Sequence, residues 1–111
     1  MAYDETLAAQ IRELTAAEPG LTERRMCGGL AFLIGGNMAV AASGQGGIMV
    51  RVDPNESDTL VEQTNAHPVV MRGKPIRGWL RVAPEHLRAR RELANWVEVG
   101  VSCARSLPEK R

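Results

Sequence analysis

Three short apolar runs separated by glycine clusters lie between residues 24 and 52, and this pattern limits the fold more than any other feature. The runs are residues 30–34, 38–42 and 48–52. Each has the length of a strand, and the cluster at 35–37 contains Gly-Gly-Asn, which tolerates the positive φ angles of a tight hairpin. We predict an antiparallel meander in which the third run has one buried face and one solvated face.

Helical periodicity appears on both sides of this region. Leu7, Ile11 and Leu14 recur at i, i+4 and i+7 behind Asp4, a suitable N-cap, so we predict a first helix over 4–17. A short helix is predicted over 55–64. The longest helix is predicted over about 84–106, with Pro84 in its first turn.

Two further strands are predicted at 69–72 and 77–82, joined by residues 73–75. With 44% hydrophobic residues in 111, the chain is expected to form one domain over 1–111. The fold class is α+β, with a single antiparallel sheet of about five strands flanked by helices. The predicted core is Leu7, Ile11, Leu14, Phe32, Leu80, Val82, Leu93, Trp96 and Val97.

Charge and terminus predict a cytoplasmic protein. The uncharged stretch 26–50 contains seven glycines, which a membrane-spanning helix would not carry. Asp4 and Glu5 lie where a signal peptide needs positive charge. The two cysteines, Cys27 and Cys103, are too few for a disulfide framework, and their apolar surroundings predict buried, inert thiols.

Motifs for catalysis or cofactor binding are weak. Cys27, Cys103, His67 and His86 lack the spacing of a metal site, and the glycine-rich loop 43–47 precedes a strand rather than the helix that a phosphate site requires. We therefore expect no metal and no cofactor. A catalytic cysteine paired with a histidine stays open, because the fold alone could assemble it.

The one charge feature above background is a basic segment over residues 72–91. Five of its residues form the candidate partner-binding site: Arg72, Lys74, Arg77, Trp79 and Arg81. Residues 77, 79 and 81 alternate onto one strand face, where arginines beside a tryptophan suit a partner contact. The alternative is that Trp79 is covered by the molecule's own helix and the arginine stems lie over it.

Two blocks of sequence resemble the TfoX N-terminal domain family. The first is Met26-Cys27-Gly28-Gly29 followed by Asn37-Met38, and the second is 71–75 with Gly78-Trp79-Leu80. The family usually has Phe where this chain has Cys27. The resemblance implies a five-stranded antiparallel sheet with helices, similar to secretion-chaperone-like folds. It also implies a link to competence gene expression, in which full-length members, which carry an additional C-terminal domain, act as coactivators with a transcription factor.

These observations predict a non-enzymatic regulatory module that binds a protein partner, with a transcription factor as the candidate. A homodimer is a further expectation, because the uncharged run 38–42 would need cover if it were an edge strand. We expect no sequence-specific DNA binding, because the net charge is +1 and no groove-reading motif is present. The rival hypothesis is a small enzyme or small-ligand-binding protein whose site only the fold assembles.

Overall fold

The computed structural model describes residues 3–110, which form three α-helices and one six-stranded sheet. The helices are α1 (Glu5–Thr15), α2 (Ser57–Gln63) and α3 (Arg90–Arg105). The strands are β1 (Leu21–Met26), β2 (Gly29–Ile34), β3 (Asn37–Ala42), β4 (Ile48–Arg51), β5 (His67–Met71) and β6 (Lys74–Val82). Short 3-10 turns lie at Pro54–Glu56 and Pro84–His86.

All neighbouring strands pair antiparallel, in the order β1-β2-β3-β4-β6-β5. The α+β class with a single antiparallel sheet is therefore confirmed. The sheet has six strands rather than about five. The additional strand is β1, which the sequence did not predict because Glu23, Arg24 and Arg25 interrupt any apolar alternation. Charged side chains suit an edge strand, where they discourage pairing with other chains.

Three of the four hairpins have two-residue turns, and each of these turns has positive φ at both positions. The first turn has φ 51° at Cys27 and 78° at Gly28, and the last has φ 53° at Arg72 and 78° at Gly73. The turn at 35–36 uses two glycines. Paired positive φ values match the right-handed twist of the strands, which explains the short β-hairpins. Cys27 thus occupies an exposed turn, and the prediction that its thiol is buried is wrong.

All three helices pack on one face of the sheet, called here the covered face. Phe32, Val40 and Leu80 from the sheet share one apolar cluster with Ile11 from α1 and Leu93 from α3. At Gly100, α3 approaches β3 so closely that an added Cβ would lie 2.3 Å from the Ala39 carbonyl oxygen. The covered face therefore contains the main core of the domain.

Several details differ from the sequence predictions. The last helix begins at Arg90, because residues 84–86 form a 3-10 turn instead of its first turn. Leu14 and Trp96 are only partly buried at the rim of the core. Residues 38–42 lie in β3, which is flanked on both sides by β2 and β4. The premise for an edge-mediated homodimer is therefore wrong.

The true edges are β1 and β5. β5 carries Pro68, which has no backbone N–H to offer, and displays Val70 and Met71 with 58% and 59% of their surface exposed. No helix in residues 3–110 is long and apolar enough to cross a bilayer.

Candidate functional site

The second face of the sheet, called here the open face, receives no helix from the described part of the chain. Directly paired residues of antiparallel strands share a face, so the register defines which side chains lie there. One row across all six strands contains Arg24, Ala31, Ala41, Met49, Arg81 and His67. A parallel row contains Thr22, Leu33 and Met38, and Arg51 pairs with Trp79 beyond it. These rows combine apolar and basic residues.

A groove of about 370 Å³ runs across the strands on this face. Ala41 lies on its floor, where a small side chain leaves room, and beneath the surface Ala31, Leu33 and Ala41 form an apolar cluster against which Met26 and Met38 pack. Four methionines line the groove: Met26, Met38, Met49 and Met71. All four methionines of residues 3–110 therefore converge on this site. Flexible thioether side chains can repack around different apolar surfaces, which suits a binding groove.

The β5–β6 hairpin forms one end of the groove through an irregularity in its pairing. The register shifts between Pro68 and Val69, and on β6 Gly78 adopts φ 93°. Ile76 and Trp79 consequently both line the groove, although strict alternation would place them on opposite faces. Pro68 pairs with Leu80 and Val69 with Ile76, so β6 has three more residues than β5 across this shift. Such an enlarged bulge redirects the side chains of the longer strand.

The same bulge separates Arg77 from the other two members of its predicted row. The Arg77 guanidinium donates to the Pro54 carbonyl oxygen at 3.1 Å and lies 3.9 Å from the Asp58 carboxylate. It therefore points toward α2 on the covered side. Of the predicted row of 77, 79 and 81, only Trp79 and Arg81 share the open face, and the expectation of three aligned residues is wrong.

The other two predicted site residues lie at the tip of the same hairpin. Arg72 occupies the exposed turn, and Lys74 begins β6 opposite Met71. The structure does not cover Trp79 with a helix, as the alternative interpretation required, because every helix of residues 3–110 packs on the covered face. Trp79 is half-buried in the groove wall.

Two arginines, Arg51 and Arg81, lie beside Trp79 in the groove wall. The Arg51 guanidinium lies 4.4 Å from the Trp79 ring centroid and donates to the Met38 carbonyl oxygen at 2.7 Å. The Arg81 guanidinium donates to Ser43 Oγ at 3.0 Å, and that oxygen also accepts from the Gln45 amide. Burial lowers the pKa of Arg51 from its ordinary value. Stacking and hydrogen bonds thus hold both cations in place.

None of the open-face arginines meets a carboxylate within residues 3–110. The ion pairs there join Arg12 to Glu23, Arg77 to Asp58, Arg90 to Glu13 and Arg105 to Glu18. Arg24, Arg51 and Arg81 take part in none of these ion pairs. The groove lining contains neither Asp nor Glu. The open face therefore combines an apolar groove with three arginines that pair with no carboxylate of residues 3–110.

The groove brings together no catalytic set. Cys27 lies at its rim, but neither His67 nor His86 belongs to its lining. Within residues 3–110, no three His, Cys, Asp or Glu side chains come close enough to hold a metal ion. The arrangement suits the binding of an apolar ligand with negative charge.

A larger cavity of about 550 Å³ lies on the covered side between α2 and α3. Its walls include Cys103, whose pKa is raised by burial, and the carboxylates Asp53, Glu56 and Glu98. The lining mixes acidic, hydroxyl and aliphatic groups, and its hydroxyls bond within the same wall, Ser102 to the Glu98 carboxylate and Ser106 to the Cys103 carbonyl oxygen. The open-face groove is the better candidate site, because its lining is mainly apolar and its few polar groups are fixed.

Most groove residues escaped the sequence prediction, although two signals for them were present. β4 was predicted to have one buried and one solvated face, and Met49 occupies a position on the solvated side. A methionine on a face expected to meet water is compatible with a binding surface, although single exposed apolar residues are common. The contributions of Val69 and Ile76 depend on the bulge in β6, for which Gly78 inside the strand is a sequence signal.

Comparison with known proteins gives one result that agrees with this geometry. The sequence pattern of the TfoX N-terminal domain family matches residues 13–104 of this chain. That match includes all six strands, α2 and nearly all of α3, so the chain belongs to this family. The comparisons with curated proteins and with solved structures gave no significant match.

Proposed function

We propose that this member of the TfoX N-terminal domain family is a non-enzymatic cytoplasmic regulatory module that binds a protein partner through the open-face groove. The observation that carries the proposal is an apolar, methionine-lined groove on a sheet face that the described chain leaves uncovered. The link between the family and regulation of competence genes supports a partner from the transcription machinery, with a transcription factor as the first candidate.

The composition of the groove supports a protein partner over a chemical reaction. Methionine and tryptophan supply adaptable apolar contact area, and arginine and aromatic residues are enriched in protein interfaces. The rival hypothesis of a small enzyme needs a cysteine, a histidine and a carboxylate in one place. The lining supplies only the cysteine, Cys27.

Charge argues for a different protein rather than a second copy of this chain. In a two-fold dimer the same patch meets itself. Two open faces would then bring Arg24 and Arg81 of each copy against the same cations of the other, and like charges brought together across an interface are unfavourable. An acidic partner has no such penalty.

A single substitution inside the groove tests this proposal. Met49 is the cross-strand neighbour of Arg81, so the new carboxylate in Met49→Glu would pair with that guanidinium and make the groove polar. The tagged wild type and this variant are purified from the cells that produce the protein. Co-purifying proteins are identified, and each purified partner is titrated against both forms by calorimetry.

We expect at least one co-purified protein to bind the wild type directly in the calorimetric titration and to show no binding to the Met49→Glu variant. Ala9→Glu provides the matched control, because it adds the same charge at an exposed position of α1 on the covered side. If the partner binds the wild type and Met49→Glu with equal affinity, the open face is not the binding site. Loss of binding in both variants to the same extent would also contradict the proposal.

A further inference from the structure

We infer that the partner segment is an amphipathic α-helix that lies across the strands, with its apolar side in the open-face groove and carboxylates near both ends. The inference rests on the proposed function and specifies the chemistry of the partner. It follows from the direction of the groove, the position of the cations and the hydrogen-bonding needs of a segment on a sheet face.

The groove runs across the strands rather than along them. Its lining extends from Met26 at the end of β1, past Ala41 and Met49, to Met71 at the β5–β6 hairpin. A segment lying there meets side chains and no free strand edge. An extended peptide would bury backbone N–H and C=O groups without partners, whereas a helix satisfies these groups internally.

Two arginines lie far apart in the same row, which His67 of β5 continues beyond Arg81. Arg24 is on β1 and Arg81 is on β6, with Ala31, Ala41 and Met49 between them. Four strand spacings of about 4.8 Å separate the two arginines, so they lie about 19 Å apart. At about 1.5 Å per residue, a helix covers that distance in about 13 residues. Acidic residues 11 or 14 positions apart share one side of a helix and would reach both cations.

The fixed position of Arg81 supports a carboxylate as its missing partner. One of its N–H groups is used on Ser43, and no carboxylate of residues 3–110 reaches it. Partial burial removes some of the water around the Arg81 guanidinium. An incoming carboxylate would replace this lost water with charge-assisted hydrogen bonds. The groove floor beside it accepts the apolar stripe of the helix.

Three synthetic 18-residue helices test the inference. All carry leucines at i, i+3, i+4 and i+7. The first peptide has one glutamate near its N-terminus and two more at 11 and 14 positions after it. The second has glutamines at these three positions, and the third has lysines. Binding is followed by the emission of Trp79, in a Trp96→Phe background. That background leaves Trp79 as the single tryptophan, because the chain has two. Thermal melting confirms that each protein variant is folded.

We expect the acidic peptide to bind most tightly and the lysine peptide to bind least. Arg81→Gln should weaken the acidic peptide about tenfold, the amount associated with one charged hydrogen bond. Arg24 is exposed, so Arg24→Gln should cost about two- to fivefold. Arg25→Gln is the matched control, because Arg25 is its chain neighbour on the opposite side of β1 and should leave binding unchanged.

Ala41→Leu separates failure of this inference from failure of the proposed function. The larger side chain fills the groove floor and should abolish binding of the acidic and neutral peptides alike. If all three peptides bind equally and Ala41→Leu abolishes binding, the acidic partner is wrong and the groove remains. If a peptide binds and neither Ala41→Leu nor Arg81→Gln changes its affinity, both proposals are overturned. If the acidic peptide does not bind, the helical partner is wrong, and the cell-purified partner still decides the proposed function.

Discussion

The two faces of the sheet are built from the same strands but differ in what covers them. On the covered face, Phe32, Val40 and Leu80 are almost completely buried beneath α1 and α3. On the open face, Ala31 and Leu33 are equally buried, but only by neighbouring side chains such as Met26 and Met38. The exposed fraction of a side chain alone therefore does not distinguish a rigid core from a surface that movable side chains cover.

Glycine and alanine act differently on the two faces. On the covered face, Gly100 lets a helix backbone approach a strand backbone. On the open face, Ala41 leaves a depression that no residue of the described chain fills. Small residues in the first case increase packing density, and in the second they preserve a groove. The covered face thus contributes most of the stability, and the open face has the features of a binding surface.

The largest expected effect is loss of a ring from the covered face. Phe32 is 0% exposed, so Phe32→Ala should lower the free energy of unfolding by about 3 to 5 kcal/mol. The adjacent substitution Leu33→Ala removes a side chain that is 4% exposed on the open face. Methionines there can move into the vacated space, so its cost should be about 2 kcal/mol, at the low end for such truncations.

Urea denaturation of both variants measures this difference directly. Since the two residues are neighbours on one strand, changes in β propensity and chain position largely cancel. Equal losses of stability would mean that the open face is packed as rigidly as the covered face. The contrast between the faces would then be wrong.

The next effect concerns the contact between α3 and β3. In a free helix, Gly→Ala stabilises by about 1 kcal/mol. At Gly100 the added methyl group would meet the Ala39 carbonyl oxygen at 2.3 Å, so the helix must move away from the sheet. We expect Gly100→Ala to destabilise the protein by about 2 to 3 kcal/mol, as overpacking does. Asn95→Ala, on the exposed side of α3, is the control. A gain of stability in Gly100→Ala would show that the helix and the sheet are not in tight contact.

Local sequence signals predicted the fold where they were strong. The glycine clusters gave the hairpins, and apolar periodicity gave α1 and the body of α3. β1 was missed because an edge strand buries little and Glu23, Arg24 and Arg25 show no alternation. The start of α3 was misplaced because Pro84 suits the first turn of a 3-10 helix as well as that of an α-helix.

The candidate site was predictable only in part because it depends on pairing between distant strands. Trp79 and Arg81 alternate within one strand, so sequence could place them together. Arg77 was assigned to the same row because the prediction assumed strict alternation, although Gly78 inside the strand is a recognised signal of a bulge. The pairing of Arg51 with Trp79 joins residues 28 positions apart across two strands that are not consecutive in the chain.

The smallest expected effect compares Glu23 and Arg24, neighbours on opposite sides of β1. The hydrogen bond from Arg12, 2.7 Å long, lowers the pKa of Glu23 from its ordinary value of 4.5. A carboxyl whose pKa is lowered by folding stabilises the folded state above its unfolded pKa, and this contribution disappears as the pH falls through the folded pKa. Because the pair is partly exposed, Glu23→Gln should cost less than about 1 kcal/mol at pH 7, and the difference from wild type should shrink below pH 4.5.

Arg24→Gln removes a side chain that has no ion pair within residues 3–110, so it should leave stability unchanged across that pH range. Urea titrations at several pH values compare the two. A loss of stability in Arg24→Gln that equals the loss in Glu23→Gln would indicate that the open-face cation already has an anionic partner within the chain, which would remove the charge argument for an acidic ligand.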